Sequence, residues 1–377
     1  MKKDTDNKQN NSKSEKRFQR KYFIAIVFLL LFVATLVLIL MQDQSDPVSE
    51  AVIRQAAAQQ LNKDPNDLTN EDFAQITDFK LHKENLEDIK LLAKFTSLEK
   101  LDLTLVNTTK KNIPKWMAFL SKLGIIDLTL RNSIDLSPIK KLKNLKYLKL
   151  YNTHIVNINT LKKLKKLETL LIMDTPVRNC KPLANLVNLK ELNLERTRIE
   201  KIDPLKNLTN LEKLIIRNMP ISSLEPIKNL TKLQHLCIDA TNISNLELIK
   251  VLPNLRKLSV INTPVSDLAD LKDCTNLKEL DFSCTNVSDL EPIRGLINLR
   301  MLAMDVAKVT DLEPITKLSN LEMLFLGGDL IQEIEMLKDL TNLKTLGLSN
   351  CYKLEKSQKE NLKKALPNLE IFEMDRE

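Results

Sequence analysis

Glycine is scarce, with five residues in a chain of 377. That leaves no glycine-rich phosphate cradle, and it hands the turns to Thr, Asn, Asp and Pro. Histidine is scarcer: His82, His154 and His235 are the only three, and they lie far apart. They cannot form a cluster for acid–base work or metal ligation. Five cysteines with no C-x-x-C pair exclude a disulfide framework and a zinc ribbon. Aromatic residues make up 4% of the chain. The net charge of +8 is unevenly placed, with +5 in residues 1–21 and +3 in residues 42–377. A nucleic-acid-binding face is not expected from so small a surplus, and no cofactor or metal is expected either.

What the chain does contain is a phrase that returns every 22 residues. Asn144-Leu145-Lys146-Tyr147-Leu148-Lys149-Leu150 comes back as Asn188-Leu189-Lys190-Glu191-Leu192-Asn193-Leu194 and as Asn342-Leu343-Lys344-Thr345-Leu346-Gly347-Leu348. The opening leucine falls at 145, 167, 189, 211, 233, 255, 277, 299, 321 and 343 without a slip. A strict period of this length with L-x-x-L-x-L marks a leucine-rich repeat solenoid of the α/β class. With that leucine as position 1, apolar residues recur at 4, 6, 11, 14, 17 and 20, as in Leu280, Phe282, Val287, Leu290, Ile293 and Leu296. No unit has two faces to pack together, so each buries its apolar set only against its neighbours. Positions 4 and 6 alternate with polar ones and predict short strands that stack into a parallel concave sheet, giving a curved horseshoe.

The remaining positions predict the turns. Thr153, Thr175, Thr197, Thr241, Thr263 and Thr285 recur at position 9 and are expected to form a hydroxyl ladder bonded to the turn that leaves the strand. Asp267, Asp289 and Asp311 stand before position 14, and Pro182, Pro204, Pro226, Pro292 and Pro314 occupy position 16. A capping side chain followed by a first-turn proline suits short helical turns on the convex side.

Read in order, residues 1–21 are expected to be a disordered, basic, cytoplasmic tail. Tyr22 to Met41 then runs for twenty residues without a charge, the length a helix needs to cross a bilayer. It is longer than the apolar stretch of a cleaved signal peptide and lacks a cleavage-site pattern, so an uncleaved membrane anchor is expected. Lys13, Lys16, Arg17, Arg20 and Lys21 precede it, and Asp43, Asp46 and Glu50 follow. Basic flanks stay cytoplasmic, which places everything after the anchor outside the cytoplasm. Residues 42–47 read as a linker and 48–75 as a helical cap over the open end of the repeats, with Thr69 capping its second helix. Residues 76–377 read as the repeat domain. Extending the register predicts further units at Ile76, Leu98 and Leu123, with Trp116 in an enlarged convex helix. A last unit is expected at Leu369, after an amphipathic helix over Lys356–Ala365. That makes about fourteen strands, which at about 4.8 Å per step span roughly 60 Å.

The phrases SDLEPIRGLINLRML (288–302) and TDLEPITKLSNLEML (310–324) resemble the 22-residue repeats of the internalin family of bacterial surface proteins. The stretch 51–81 is similar to that family's cap running into its first strand. The resemblance implies a receptor whose concave strand face binds another protein. It departs from the family in three ways: Thr replaces Asn at position 9, neither an immunoglobulin-like domain nor an LPxTG-like sorting signal follows the repeats within residues 1–377, and the expected anchor is N-terminal. Adhesion and invasion are therefore not implied.

Positions 3, 5 and 7 should project from the concave face. Two apolar groups stand out there: Tyr147, Tyr151, Leu171 and Met173, and, further on, Met301, Ala303, Met323 and Phe325. Exposed apolar clusters rimmed by charge commonly mark protein-binding sites. Between them lie the charged and polar candidates Glu191, Glu195, Lys213, Arg217, His235, Asp239, Glu279 and Asp281. The trio His235, Cys237 and Asp239 suggests a thiol–imidazole pair, yet an open strand offers no pocket that excludes water. The expectation is a non-enzymatic, membrane-tethered scaffold with a protein ligand on its concave face. The alternatives are a cytoplasm-facing regulatory subunit that binds a phosphatase or other enzyme, and a purely structural envelope protein.

Overall fold

The 22-residue period becomes one parallel sheet in which every strand pairs with its neighbours in sequence. The computed structural model describes residues 47–83, 86, 88–105 and 133–374. The chain divides after Pro47, and Val48–Glu377 forms one unit, the one described below. Among the described residues no helix is long and apolar enough to cross a membrane. The expected tail, the anchor Tyr22–Met41 and all but the last residue of the linker lie outside them.

Helices α1 (Pro47–Leu61) and α2 (Asn70–Gln75) lead into the sheet. Thr69 and Asp72 form a reciprocal capping box at the start of α2, each satisfying a backbone N–H that the first helical turn leaves free. Ile53, Ala57, Ala58 and Phe73 are buried, and the Phe73 ring lies 5.2 Å from that of Phe95 in the first repeats. The cap thus continues the repeat core.

Thirteen strands follow among the described residues. They are β1 (Asp78–Lys83), β2 (Lys100–Leu105), β3 (Tyr147–Tyr151), β4 (Thr169–Met173), β5 (Glu191–Asn193), β6 (Lys213–Ile215) and β7 (His235–Cys237), then β8 (Lys257–Ser259), β9 (Glu279–Asp281), β10 (Met301–Met304), β11 (Met323–Gly327), β12 (Thr345–Ser349) and β13 (Glu370–Met374). The expected count of fourteen is corrected by the pairing of β2 directly with β3, Lys100 opposite Tyr147. The N–H groups of Lys146 and Tyr147 both reach the Glu99 carbonyl, at 2.8 and 3.0 Å, and leave no place for a strand between them. Ile134, Leu136, Ile139 and Leu142 complete the core of this long unit. The segment that holds Leu123 and Trp116 lies outside the described residues.

Positions 4, 6, 11, 14, 17 and 20 are buried in unit after unit, as the period demands; Leu280, Phe282, Val287, Leu290, Ile293 and Leu296 all lie at 0–1% exposure. The returning segments are short 3-10 turns, such as Glu291–Ile293 and Glu313–Lys317. Asp267, Asp289 and Asp311 accept from the N–H two residues on, at 2.7–2.9 Å. They act as Asx turns ahead of the 3-10 segment rather than as its N-caps.

Two ladders stitch the units. Thr197, Thr241, Thr263 and Thr285 donate to the carbonyls of Leu194, Ile238, Val260 and Phe282 at 2.6–2.8 Å. Thr153 and Thr175, after the longer strands β3 and β4, are buried without such a partner. The second ladder is built by asparagine. Asn188, Asn210, Asn276 and Asn342, each just before an opening leucine, donate to the carbonyls of Lys165, Val187, Pro253 and Ser319 at 2.8 Å. The turn at position 8 is left-handed in repeat after repeat, with φ of 50–57° at non-glycine residues from Asn152 to Asn350 and 98° at Gly328.

At the far end, α3 (Lys356–Ala365) packs against the turn Glu335–Asp339 and buries Leu362. Gln358 fixes it there, accepting from Ile334 N–H and donating to the Gln332 carbonyl, both at 3.0 Å. This helix does not cover the open face of the sheet. Glu370 stands opposite Thr345, a step of 25 residues, so Ile371 pairs with Leu346 and Phe372 lies beside Gly347.

Candidate protein-binding face

The registered strands bring positions 3, 5 and 7 into rows on the open face, and these rows hold all the candidate residues. Near the first repeats, Asp102 is buried and accepts from Thr104 Oγ1 at 2.9 Å, Lys149 Nζ at 3.1 Å and His82 Nε2 at 3.3 Å. Burial raises the Asp102 pKa, but these three donors outweigh it and hold the carboxyl below its usual value. Tyr147 and Tyr151 flank Lys149 on β3, and Thr169, Leu171 and Met173 stand opposite them on β4. The Tyr147 phenol is raised by burial and then by the charges of Asp102 and Glu191. Met173 is engaged by the Asn193 amide, 3.1 Å from its sulfur.

The middle of the face neutralises itself. Glu191 meets Lys213 at 2.7 Å, Glu195 meets Arg217 at 3.4 Å and Lys257 meets Glu279 at 2.5 Å, each across one strand interval. Such half-exposed pairs contribute about 0–1 kcal/mol each. Their larger effect is to leave little unbalanced charge. Of the trio His235, Cys237 and Asp239, only Cys237 and Asp239 are brought into contact, and they form a stitch between β7 and β8. Asp239 accepts from Cys237 Sγ at 3.1 Å, Ser259 Oγ at 2.6 Å and Ile261 N–H at 3.0 Å. Burial, with the Asp239 charge next, pushes the Cys237 thiol up to about 12, and burial lowers the His235 pKa, with Lys257 and Lys213 adding to it. A thiol so hard to ionise is a poor nucleophile. The geometry is that of a structural hydrogen-bond hub.

From β9 onward the character changes. Met301 and Met323 are adjacent in one row, and Ala303, Phe325, Gly347 and Phe372 follow one another in the next. Met323 is 39% exposed and Phe372 50%, large values for apolar side chains. Ala303, in contrast, is buried. Beyond the strand ends, Val306, Leu330 and Tyr352 are also exposed in the same three repeats. Phe372 was missed in the sequence because counting from Leu369 turns it inward; the alternation of Leu369 and Ile371 was the signal for the correct register. The three rim residues fall at turn positions, where the period says nothing about apolar character.

The leucine-rich repeat model (two copies) matches residues 253–295, two units in the middle of the sheet. An internalin (inlF) from Listeria monocytogenes superposes with a TM-score of 0.68 at 25% identity, over 87% of this chain and 96% of its own. The repeat domain is internalin-like. Internalin C2 from the same organism aligns at a TM-score of 0.47 and 23% identity, over 67% of this chain and 92% of its own. A leucine-rich repeat protein of Leptospira interrogans (LIC12759) aligns at 0.46 and 18%, over 81% of this chain and 92% of its own. No curated protein sequence matches the chain.

Proposed function

We propose that the repeat domain is a non-enzymatic protein-binding scaffold whose open sheet face is the ligand surface, held at a membrane by Tyr22–Met41 with the repeats outside the cytoplasm. The observation that carries the binding role is the apolar group of Met323 and Phe372, which are exposed, with the half-buried Met301 and Phe325 beside them, on a face that its own terminal helix leaves open. Water-exposed methionine and phenylalanine clusters are costly to solubility and mark sites that are covered in use. The internalin-like fold supports a scaffold role. The tether rests on the uncharged run and its basic N-terminal flank.

Two measurements test the reading. A photo-crosslinking amino acid placed at Phe325 in living cells is expected to give a discrete protein adduct, and one at Lys162, in the returning turn Asn159–Lys163, none. Adducts at Lys162 alone would move the binding surface off the sheet. Protease added to intact cells is expected to remove a C-terminal tag while a cytosolic marker survives, with any outer membrane first permeabilised. Survival of the tag until the inner membrane opens would overturn the topology and put the regulatory-subunit alternative first.

A further inference from the structure

The returning turns, on the side of the core opposite the strands, differ in charge along the chain. Each of the seven from Asp203–Asn207 to Glu335–Asp339 opens with a carboxylate, Asp203, Glu225 and Glu291 among them. Several of these acids meet a cation of the same turn: Glu225 with Lys228, Glu247 with Lys250 at 3.6 Å, and Glu291 with Arg294 at 2.6 Å. The neighbouring turns Ser137–Lys141, Asn159–Lys163 and Lys181–Leu183 hold no acid. By the 22-residue register, Ser137, Asn159 and Lys181 stand where the later units have Asp203, Glu225 and Glu247.

Lysine gathers where the acid is missing. Lys140 and Lys141 end one turn and Lys162 and Lys163 the next, in register with each other. Lys143, Lys165 and Lys166 extend the patch along the connections into β3 and β4. All seven are exposed, and none meets a carboxylate among the described residues. Lys165 donates to the Asn185 carbonyl at 3.1 Å and Lys166 to Asn144 Oδ1 at 2.9 Å, both neutral partners. In all, residues 136–167 hold nine lysines and neither Asp nor Glu, whereas the rest of 42–377 is net negative. Like charges crowded in this way repel one another, a cost that the later turns avoid.

The chemistry of the patch selects its anion. The nine basic side chains are all lysine, a compact hydrated charge without the flat fork by which arginine grips one phosphate or carboxylate in a fixed pose. The two turns hold no aromatic side chain on which a base could stack. Such a surface suits a broad layer of phosphate groups better than a single bound molecule.

We propose that the lysine patch on the turns Ser137–Lys141 and Asn159–Lys163 lies against the anionic phospholipid headgroups of the bilayer that anchors the chain. This rests on the reading of Tyr22–Met41 as a membrane anchor and adds a second, electrostatic contact. The anchor keeps lipid at high effective concentration, so a weak attraction suffices. Each lysine close to an anionic surface gains roughly fivefold in partition. Because the turns and the strands lie on opposite sides of the core, docking the turns on lipid leaves the open sheet face free for a protein ligand.

The test uses the full chain inserted in nanodiscs, with the acylation rate of each lysine read by mass spectrometry. In phosphatidylglycerol discs at about 0.1 M salt, Lys140, Lys141, Lys162 and Lys163 are expected to react at least about fivefold slower than in phosphatidylcholine discs. Lys317 and Lys338, which sit in turns that carry an acid, should react equally in both. The protection should vanish at about 1 M salt, where charges are screened beyond about 3 Å. With Lys140, Lys141, Lys162 and Lys163 all changed to Gln, the protection of Lys143 and Lys165 should be lost as well. Equal rates in the two lipids would refute the proposal. Protection of Lys143 and Lys165 that survives the four changes would assign it to crowding at the disc and refute the patch. Stronger protection by polyphosphate or duplex DNA added to phosphatidylcholine discs would make a soluble polyanion the occupant and overturn the lipid assignment. A chain that does not enter discs would remove the anchor reading, and the same rates with phosphatidylglycerol vesicles added to the free chain would then decide the patch by itself.

Discussion

Gly327 offers the sharpest check on the geometry of the open sheet face, because the sign of its effect depends on one neighbour. The Asp305 carboxylate, on the adjacent strand's exit, lies across it. A Cβ on Gly327 would stand 1.6 Å from Asp305 Oδ1, 2.6 Å from Asp305 Cγ and 3.1 Å from the Ser349 carbonyl. The backbone at Gly327 is not left-handed, so alanine suits it conformationally. Taken alone, that exchange would stabilise by about 0.5–1 kcal/mol, through the lower entropy of the unfolded chain. Against this, the overlap with Asp305 is too deep for small adjustments. The carboxylate must leave its rotamer at about 0.5–1.5 kcal/mol, and forcing extra volume into the tight site costs about 1–3 kcal/mol. Gly327→Ala is therefore expected to destabilise by about 1–3 kcal/mol.

With Asp305→Ala already in place, the collision is gone and only the tight approach to Ser349 remains. Gly327→Ala should then be neutral or stabilising by up to about 1 kcal/mol. Equilibrium urea unfolding of the four chains, followed by circular dichroism, gives the coupling energy, expected near 2 kcal/mol. If Gly327→Ala costs the same in both backgrounds, within about 0.5 kcal/mol, the placement of the Asp305 carboxylate over Gly327 is wrong.

Two further outcomes can be read in the same unfolding assay. Val306 holds φ at 57°, and a β-branched residue there is strained by about 1–2 kcal/mol. Since Val306 is 45% exposed and Asn fills the same turn position at 152, 218, 262 and 350, Val306→Asn should stabilise by about 0.5–1 kcal/mol; a loss would show that packing, not strain, governs the site. Asp281 has a folded pKa above its ordinary value, so its charge costs stability above that pKa, and the cost fades as falling pH protonates it in the native state. Asp281→Asn, which keeps an oxygen for the Ser283 N–H, should raise the melting temperature at neutral pH. Its advantage should shrink on acidification, and a gain that grew instead would refute the assignment.

The inward half of the molecule was legible because burial enforces it. A one-residue slip in a strand exchanges its two faces, so Leu280 and Phe282 could be placed from the period alone. The errors fall where the period breaks. Ile126-Asp127-Leu128-Thr129-Leu130 nearly repeats Leu101-Asp102-Leu103-Thr104-Leu105. By pattern either reads as a strand; the sheet adjoins β3 to the first. At the other end, the three-residue lengthening of the last unit left two registers for β13, and counting leucines chose the one that hid Phe372. Asparagine stands before the opening leucine in most copies of the repeated phrase, yet its role depends on a carbonyl 23 residues away, a contact that no local pattern expresses.

The outward half is where the repeats are free to differ, for the same physical reason. The period fixes the positions that face the core and leaves 3, 5 and 7 free, so differences along the open face are not imposed by folding. In the middle repeats that freedom is used for ion pairs that cancel across strands, Glu191 with Lys213 and Lys257 with Glu279. On β9 to β13 it is used instead for Met323 and Phe372, 39% and 50% exposed, in rows that hold no Lys, Arg or His, and apolar surface left in water costs stability. Val306, strained and exposed at the same end, adds to that cost. A stretch that departs from the cheap solution found in the neighbouring repeats is the stretch whose surface answers to something other than the fold. Stabilising changes here, Val306→Asn and Asp281→Asn among them, should therefore weaken ligand binding, whereas removing the Glu191–Lys213 pair from the self-neutralised middle should leave it intact.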